Sequence, residues 1–520
     1  MMPRRRIGWL AAALGIALGL LLGARLPAFP LWGELEAGPH GVGFRSIFTR
    51  DLSRSSLRAE AGAPRGREMR LHLWYPAAAL ENPRFLRLED YVFLNAQELQ
   101  AAAPDAGQKA QARKDFLQES LDLGAPAGKL DALLRMETAS VLDAAPAAGR
   151  FPLVVFAHAT PVTASVMSEY LASHGFVVVA LTSKGTFARD YYHDVPDLET
   201  LITDLAFAAG TAKALDFVDG ERVGAIGMSA GSIAALGLHV RNPDVRAVVS
   251  LDGTIGEEKG SFLVTRNPYY DVSRIQAPLL HLYSPDNPYL DLSRLRSWRY
   301  SRRTLVRLSR MRHVDYLAYG MFEHFVPGLL GPAPAPGDAK TGFEWVCRYV
   351  LRFLQAHLLE AADSRAFLAE APEAHGVPAG LMTLEEHPGV PPALTVAEVR
   401  RVLDQEGFAR LAALYRQRKA ADPQPIPRGA FLQIGKGLLS GKRYALARDV
   451  FGLFVDSFPD AAEAHDYMAS AALGLGDPAL ARTHFEQVLR CVDADPDLDF
   501  RTRRLLEATA RQALARKEAP

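Results

Sequence analysis

The sequence predicts a doubly wound, mostly parallel α/β sheet with a helical insert and an all-α domain behind it. Three observations carry the prediction. Short apolar runs alternate with helical patterns through the first part of the chain, and residues 83–137 interrupt that alternation with helical spacing alone. The tail repeats itself at a helix–turn–helix period. The chain has 520 residues, 49% of them hydrophobic, which leaves room for two to four domains of roughly 100–200 residues each. Lys plus Arg (59) cancel Asp plus Glu (59), so there is no basic footprint and nucleic acid is not an expected partner. Two cysteines, Cys347 and Cys491, make no disulfide framework and no metal-finger spacing. Both read as buried thiols, and no metal or cofactor is expected.

The amino terminus reads as an address. Arg4, Arg5 and Arg6 precede an uncharged apolar run from Ile7 to Ala24, closed by Arg25. Basic then apolar is the layout of a secretory signal or a single membrane anchor, here residues 1–28. The run of 18 residues falls between a signal core of about 7–15 and a spanning helix of about 20. The expectation is export to a periplasmic or extracellular location, either released or anchored by residues 7–24, with membrane contact at that end.

The elements then follow in order. Gly41–Thr49 and Met69–Tyr75 alternate like strands joined by a polar loop, Ser53–Arg67. Residues 83–137, rich in Ala, Leu, Gln and Lys, read as an inserted helical segment roofing a site. Phe151–Ala157, Phe176–Leu181, Val223–Ile226, Val245–Leu251 and Pro278–Tyr283 are continuous apolar runs, as strands buried on both faces are. Helical patterns separate them at Ser165–His174, Leu198–Phe217 and Gly231–Arg241. Thr304–Leu308 resembles a last strand, and Glu344–Leu359 a closing amphipathic helix. Residues 38–362 make up this domain. Residues 363–393, rich in Pro, Gly and Glu, read as a linker.

In residues 394–520, Ala445-Leu446-Ala447-Arg448 recurs as Ala479-Leu480-Ala481-Arg482, an offset of 34, shared by Phe451 and Phe485. These units resemble tetratricopeptide repeats. The resemblance implies a concave surface for a protein partner or a second copy.

Gly227-Met228-Ser229-Ala230-Gly231 is G-x-S-x-G, placed after an apolar strand and before a small-residue helix. A serine forced into such a turn exposes its hydroxyl above the sheet, and the flanking glycines relieve the crowding. Ser229 is the candidate nucleophile. It needs a base and an acid downstream. Two aspartates stand at carboxyl ends of predicted strands, Asp252 and Asp286, where α/β sheets place ligands. His313, on the loop after the last strand, is the candidate base; His324 is a rival that sits in a helical pattern. The oxyanion calls for two backbone donors. These are the Ala230 amide and an amide of the turn His158-Ala159-Thr160, with Thr160 preferred and His158 read as structural.

These segments resemble, in order, the blocks of the platelet-activating-factor acetylhydrolase-like hydrolases, which have an α/β-hydrolase fold. The resemblance is carried by Gly38–Arg45 with Leu73–Ala77, then His158, Gly227–Gly231, Leu251-Asp252-Gly253 and His313–Tyr316. It implies Asp252 as the triad acid, 23 residues after the serine, with Asp286 the alternative used by many other α/β hydrolases. It also implies a serine esterase acting on short-acyl or phospholipid-like esters. The family usually has His-Gly where this chain has His158-Ala159, and alanine takes positive φ only at a cost. That departure keeps open an inactive hydrolase-fold scaffold, and the fold itself also serves amide, peptide and lactone hydrolysis.

Overall fold

The apolar runs are buried on both faces, as their composition requires. The computed structural model describes residues 27–54, 66–80, 82–97, 101–186, 191, 193–266, 274–331, 339–495, 498 and 500–515. The apolar run at 7–24 and most of the polar loop at 53–67 lie outside them. Among the described residues no helix is long and apolar enough to cross a membrane. The chain divides into two units, Met1–Gly389 and Val390–Pro520.

In the first unit a 3-10 turn at Pro30–Trp32 leads to β1 (Gly41–Asp51) and β2 (Arg67–Ala77), an antiparallel pair. The segment read as a helical insert contains β3 (Phe85–Arg87), α1 (Leu88–Ala96), α2 (Ala106–Asp122) and α3 (Ala127–Leu134), and β4 (Glu137–Leu142) follows. The wound region then runs β5 (Phe151–Ala157), α4 (Pro161–Ser173), β6 (Val177–Leu181), α5 (Val195–Lys213), β7 (Val218–Met228) and α6 (Gly231–Arg241). It continues with β8 (Val245–Leu251), α7 (Glu258–Arg266), β9 (Leu279–Tyr283), α8 (Ser293–Ser297) and β10 (Arg303–Leu308). Helices α9 (Tyr319–Phe325), α10 (Ala339–Leu358) and α11 (Ala362–Ala369) and strand β11 (Met382–His387) finish the unit.

The strands form one 11-stranded sheet in the order β11-β10-β9-β8-β7-β5-β6-β2-β1-β4-β3. From β6 to β10 neighbouring strands are parallel; β11 pairs antiparallel with β10, and β2 antiparallel with β6. Along β5, Val154 and Phe156 enter one core with α4 and α10, while Leu153 and Val155 enter the other with α5 and α6. Helices thus cover both faces, and the unit is a doubly wound mixed α/β sheet. The chain leaves β5 toward β6 on one side and returns to β7 on the other. The order therefore reverses at the carboxyl ends of β5 and β7, which is where such sheets open a crevice.

Residues 363–389 are built structure rather than linker. They hold most of α11, a 3-10 turn at Pro372–His375 and strand β11, registered from Met382 opposite Leu308 to His387 opposite Arg303. Proline and glycine in this stretch shape its turns; Gly376 stands at φ +85. Helices α1 and α3 of the 83–137 segment pack against the core, while α2 is mostly exposed. Leu88, Tyr91, Leu130, Leu133 and Leu134 are fully buried. Cys347 is buried and Cys491 only partly so, and both are free thiols.

The second unit is all-α: α12 (Val396–Gln405), α13 (Phe408–Lys419), α14 (Arg428–Ser440), α15 (Tyr444–Ser457), α16 (Ala462–Gly474), α17 (Pro478–Cys491) and α18 (Phe500–Ala515). Helices α14 and α16 begin 34 residues apart, and so do α15 and α17. Ala447 and Ala481 are buried at matching places, as are Phe451 and Phe485.

One buried carboxylate ties the amino-terminal segment of the first unit together. Glu169, on α4, accepts hydrogen bonds from Trp32 Nε1 (3.1 Å), the Tyr91 hydroxyl (2.8 Å), Ser140 Oγ (2.9 Å) and the Ala139 amide (3.1 Å). Burial pushes its carboxyl above the usual range, and these donors oppose that shift. A buried donor without its partner costs about 1–3 kcal/mol. Glu169→Ala strands several at once and is expected to lower stability by at least about 3 kcal/mol, read as a shift of the urea midpoint. Glu169→Gln, which keeps an acceptor and the volume, should cost less.

Candidate active site

Strand β7 breaks into α6 through a single left-handed residue. Ser229 has φ +51. A Cβ on Gly227 would lie 2.2 Å from the Gly231 carbonyl oxygen, and one on Gly231 only 2.7 Å from both the Ala157 carbonyl oxygen and His158 Cβ. Nothing larger than glycine fits either place. The strained serine is held from behind. Its amide donates to the Leu251 carbonyl (3.1 Å), and its carbonyl accepts from the amides of Ser232 (3.0 Å) and Thr254 (3.1 Å) and from Ser232 Oγ (2.7 Å).

The next strands deliver the charged partners. Asp252 follows β8 directly and is only 3% exposed, at φ +36. Its Oδ1 accepts the Ser284 amide (2.9 Å), and its Oδ2 lies 2.7 Å from His313 Nδ1. His313 opens a 3-10 turn, His313–Tyr316, on the loop after β10, with about half of its side chain exposed. With Nδ1 facing the carboxylate, Nε2 is the ring nitrogen left for other chemistry. Ser229, Asp252 and His313 line one cavity of about 840 Å³. Leu263, Met311 and Tyr289 supply its apolar wall; Glu257, Lys259 and Asp286 add charge.

Of the two candidate acids, the histidine's partner is Asp252. Asp286 lines the same cavity but is exposed. His324 lies exposed on α9, its ring against Phe325 at 5.2 Å, and does not line the cavity. The Thr160 amide, expected to face an oxyanion, donates instead to Thr163 Oγ1 (3.0 Å) inside the capping box that starts α4. A threonine followed by proline at a helix start is a capping signal, and here capping uses the donor. The amides of Ala159 and Ala230 have no hydrogen-bond partner among the described residues. The left-handed residue of that turn is His158 (φ +60), so Ala159 does not carry the strain that His-Gly would relieve. None of the described residues of 83–137, expected to roof the site, lines the cavity.

Sequence reasoning missed the histidine group beside the site. His158 Nδ1 lies 3.0 Å from Ser183 Oγ, and its ring stands 5.9 Å from that of His193 and 5.7 Å from that of Tyr191. Burial above all, with His193 and His313 nearby, holds His158 down at about 4. It therefore stays neutral near pH 7. The Tyr191–His193 loop carries no periodicity, so only its aromatic and histidine content was visible beforehand.

No family model matches the chain, and no curated protein does. Among solved structures, the chain is similar to one described as a ferulic acid esterase from Streptomyces cinnamoneus. The TM-score is 0.48 at 20% sequence identity, over 70% of this chain and 99% of that one.

The elbow predicts that Gly231→Ala loses about 1–3 kcal/mol through overpacking, measured by urea unfolding. An unchanged midpoint would mean that the turn yields freely. A second expectation concerns pH. Burial holds His158, His281 and His357 at about 4, against an ordinary 6.5. Between those values the unfolded chain binds protons that the folded chain refuses, so stability falls as pH drops from about 6.5 to 4. His357→Gln, away from the cavity, should flatten that slope in urea midpoints taken across the window.

Proposed function

We propose that the protein is a serine hydrolase that cleaves a carboxylic ester through an acyl-enzyme intermediate. The observation that carries this reading is the left-handed Ser229 sharing one cavity with an Asp252–His313 pair at 2.7 Å. In this reading Ser229 Oγ attacks the ester carbonyl while His313 Nε2 takes its proton. The imidazolium that forms is stabilised by Asp252, which also fixes the ring through Nδ1. The proton passes to the leaving alkoxide, and water repeats the sequence on the acyl-enzyme. The Ala230 amide, at the start of α6, is one oxyanion donor; with Thr160 spent on its cap, the Ala159 amide is the other.

The substrate we favour is a short-acyl or phospholipid-like ester. The mixture of apolar wall and charged groups in the cavity suits an amphiphile, and the sequence blocks resemble those of acetylhydrolase-like enzymes. The basic and apolar leader makes export the natural location, anchored or released. The 34-residue spacing of the second unit's helices supports a tetratricopeptide-like role in binding a protein partner. Ala159 is not among the residues of positive φ, which favours a working turn over an inactive scaffold.

A fluorophosphonate probe tests the reading: the wild type labels and Ser229→Ala does not. Asp252→Asn lowers turnover of p-nitrophenyl esters by roughly three to four orders of magnitude, whereas Asp286→Asn stays near wild type. Folded wild-type protein that fails to label, or an unaffected Asp252→Asn, would remove the proposal. Varying acyl length on the same ester series, with matched amides, ranks the substrate class.

A further inference from the structure

The first unit holds a second cavity, of about 560 Å³, that shares no lining residue with the Ser229 cavity. Its walls come from α4, α10, α11 and the turn after α11. Arg348 and Arg352, one helical turn apart on α10, both face it, and Tyr170, Trp345 and Phe367 give it aromatic sides. Two like charges at this spacing repel, so something must hold them. The Arg348 guanidinium lies 4.7 Å from the centre of the Trp345 ring, and that of Arg352 5.4 Å from the centre of the Phe367 ring. Arg348 Nη2 donates to the Glu34 carbonyl (2.6 Å). Arg352 Nη1 reaches the largely exposed Asp363 carboxylate at 3.0 Å and, less closely, Ser364 Oγ and Gln355 Oε1. The remaining Nη and Nε of each arginine have no protein partner among the described residues. Among the described residues, Glu36 is the one carboxylate lining the cavity.

We infer that this cavity binds a flat organic anion, a carboxylate or phosphate group on an aromatic body, held between the guanidinium groups of Arg348 and Arg352. The planar guanidinium donates two parallel hydrogen bonds to either oxyanion, which a lysine cannot do. The aromatic walls take the flat apolar part, and the volume lies in the range of small-molecule sites, about 300–1,000 Å³. Arg352 gives up little on binding, because Asp363 is solvated and the buried Ser364 hydroxyl keeps Gln355 Oε1 at 3.0 Å. Glu36 opposes the anion and limits its affinity.

Calorimetric titration of the full chain with benzoate, phenyl phosphate and the uncharged benzyl alcohol tests this at fixed ionic strength. The expected result is saturable binding of both anions and none of the alcohol. Arg348→Gln with Arg352→Gln weakens binding at least about tenfold, or about 1.4 kcal/mol. Binding persists in Ser229→Ala, which places the ligand outside the ester site and makes the result independent of the hydrolase reading. Glu36→Gln, an exposed position that does not threaten the fold, tightens anion binding. Benzoate alone or phenyl phosphate alone, with the same response to the substitutions, assigns the oxyanion. Absence of saturable binding, equal binding of the alcohol, indifference to the paired arginine substitutions in folded protein, or no tightening in Glu36→Gln overturns the inference.

Discussion

The geometry of the candidate site depends on a contact between backbones. The start of α6 is pressed so close to the end of β5 that only a hydrogen fits at Gly231. That contact fixes two things together: the left-handed turn that lifts Ser229, and the position of the His158–Thr160 turn beside it. A left-handed non-glycine residue costs on the order of 1–3 kcal/mol. Here the hydrogen bonds at the back of Ser229 hold it in place: Ser232 supplies two from α6, and Leu251 and Thr254 supply the others from the segment that carries Asp252. Ser229 and Asp252 are therefore tied to each other through the backbone of Leu251 and Thr254.

The charged pair is graded in depth. Asp252 is almost fully buried and His313 is half exposed. A buried carboxylate needs compensation, and the Ser284 amide supplies part of it from the end of β9. The exposed face of the imidazole remains open to the cavity. Asp286, in the company of water, has no such constraint. This difference in solvation, together with the 2.7 Å contact to His313, separates Asp252, which the resemblance implied, from Asp286, its alternative.

Much of this was legible because strands buried on both faces announce themselves. FPLVVFA, VRAVVSL and PLLHLY became β5, β8 and β9 with boundaries close to those expected. The G-x-S-x-G elbow was readable because two glycines in that setting have a steric reason to be there. What stayed hidden was polar or short. Strand β11 reads TLEEH from its second residue and sits at an edge, where one face is solvent and no apolar run is needed. Strand β3 is three residues long. The His158–Thr160 turn differed from expectation for another reason: the Thr160 amide had two physically sound uses, and in the structure it serves the helix cap. Tyr91, in residues 83–137, is anchored by Glu169, which stands well downstream and which no local pattern connects to it.

The two outer strands have a consequence for how copies of this chain meet. A sheet ending in unpaired amides is a template for a neighbour's strand. Here one border is a three-residue stub. The other displays Glu385 and Glu386, clasped by Arg296 and Arg302 at 2.8 and 3.0 Å. A newcomer docking on that border would have to strip water from a row of ion pairs. Charge on an edge strand of this kind disfavours edge-to-edge pairing.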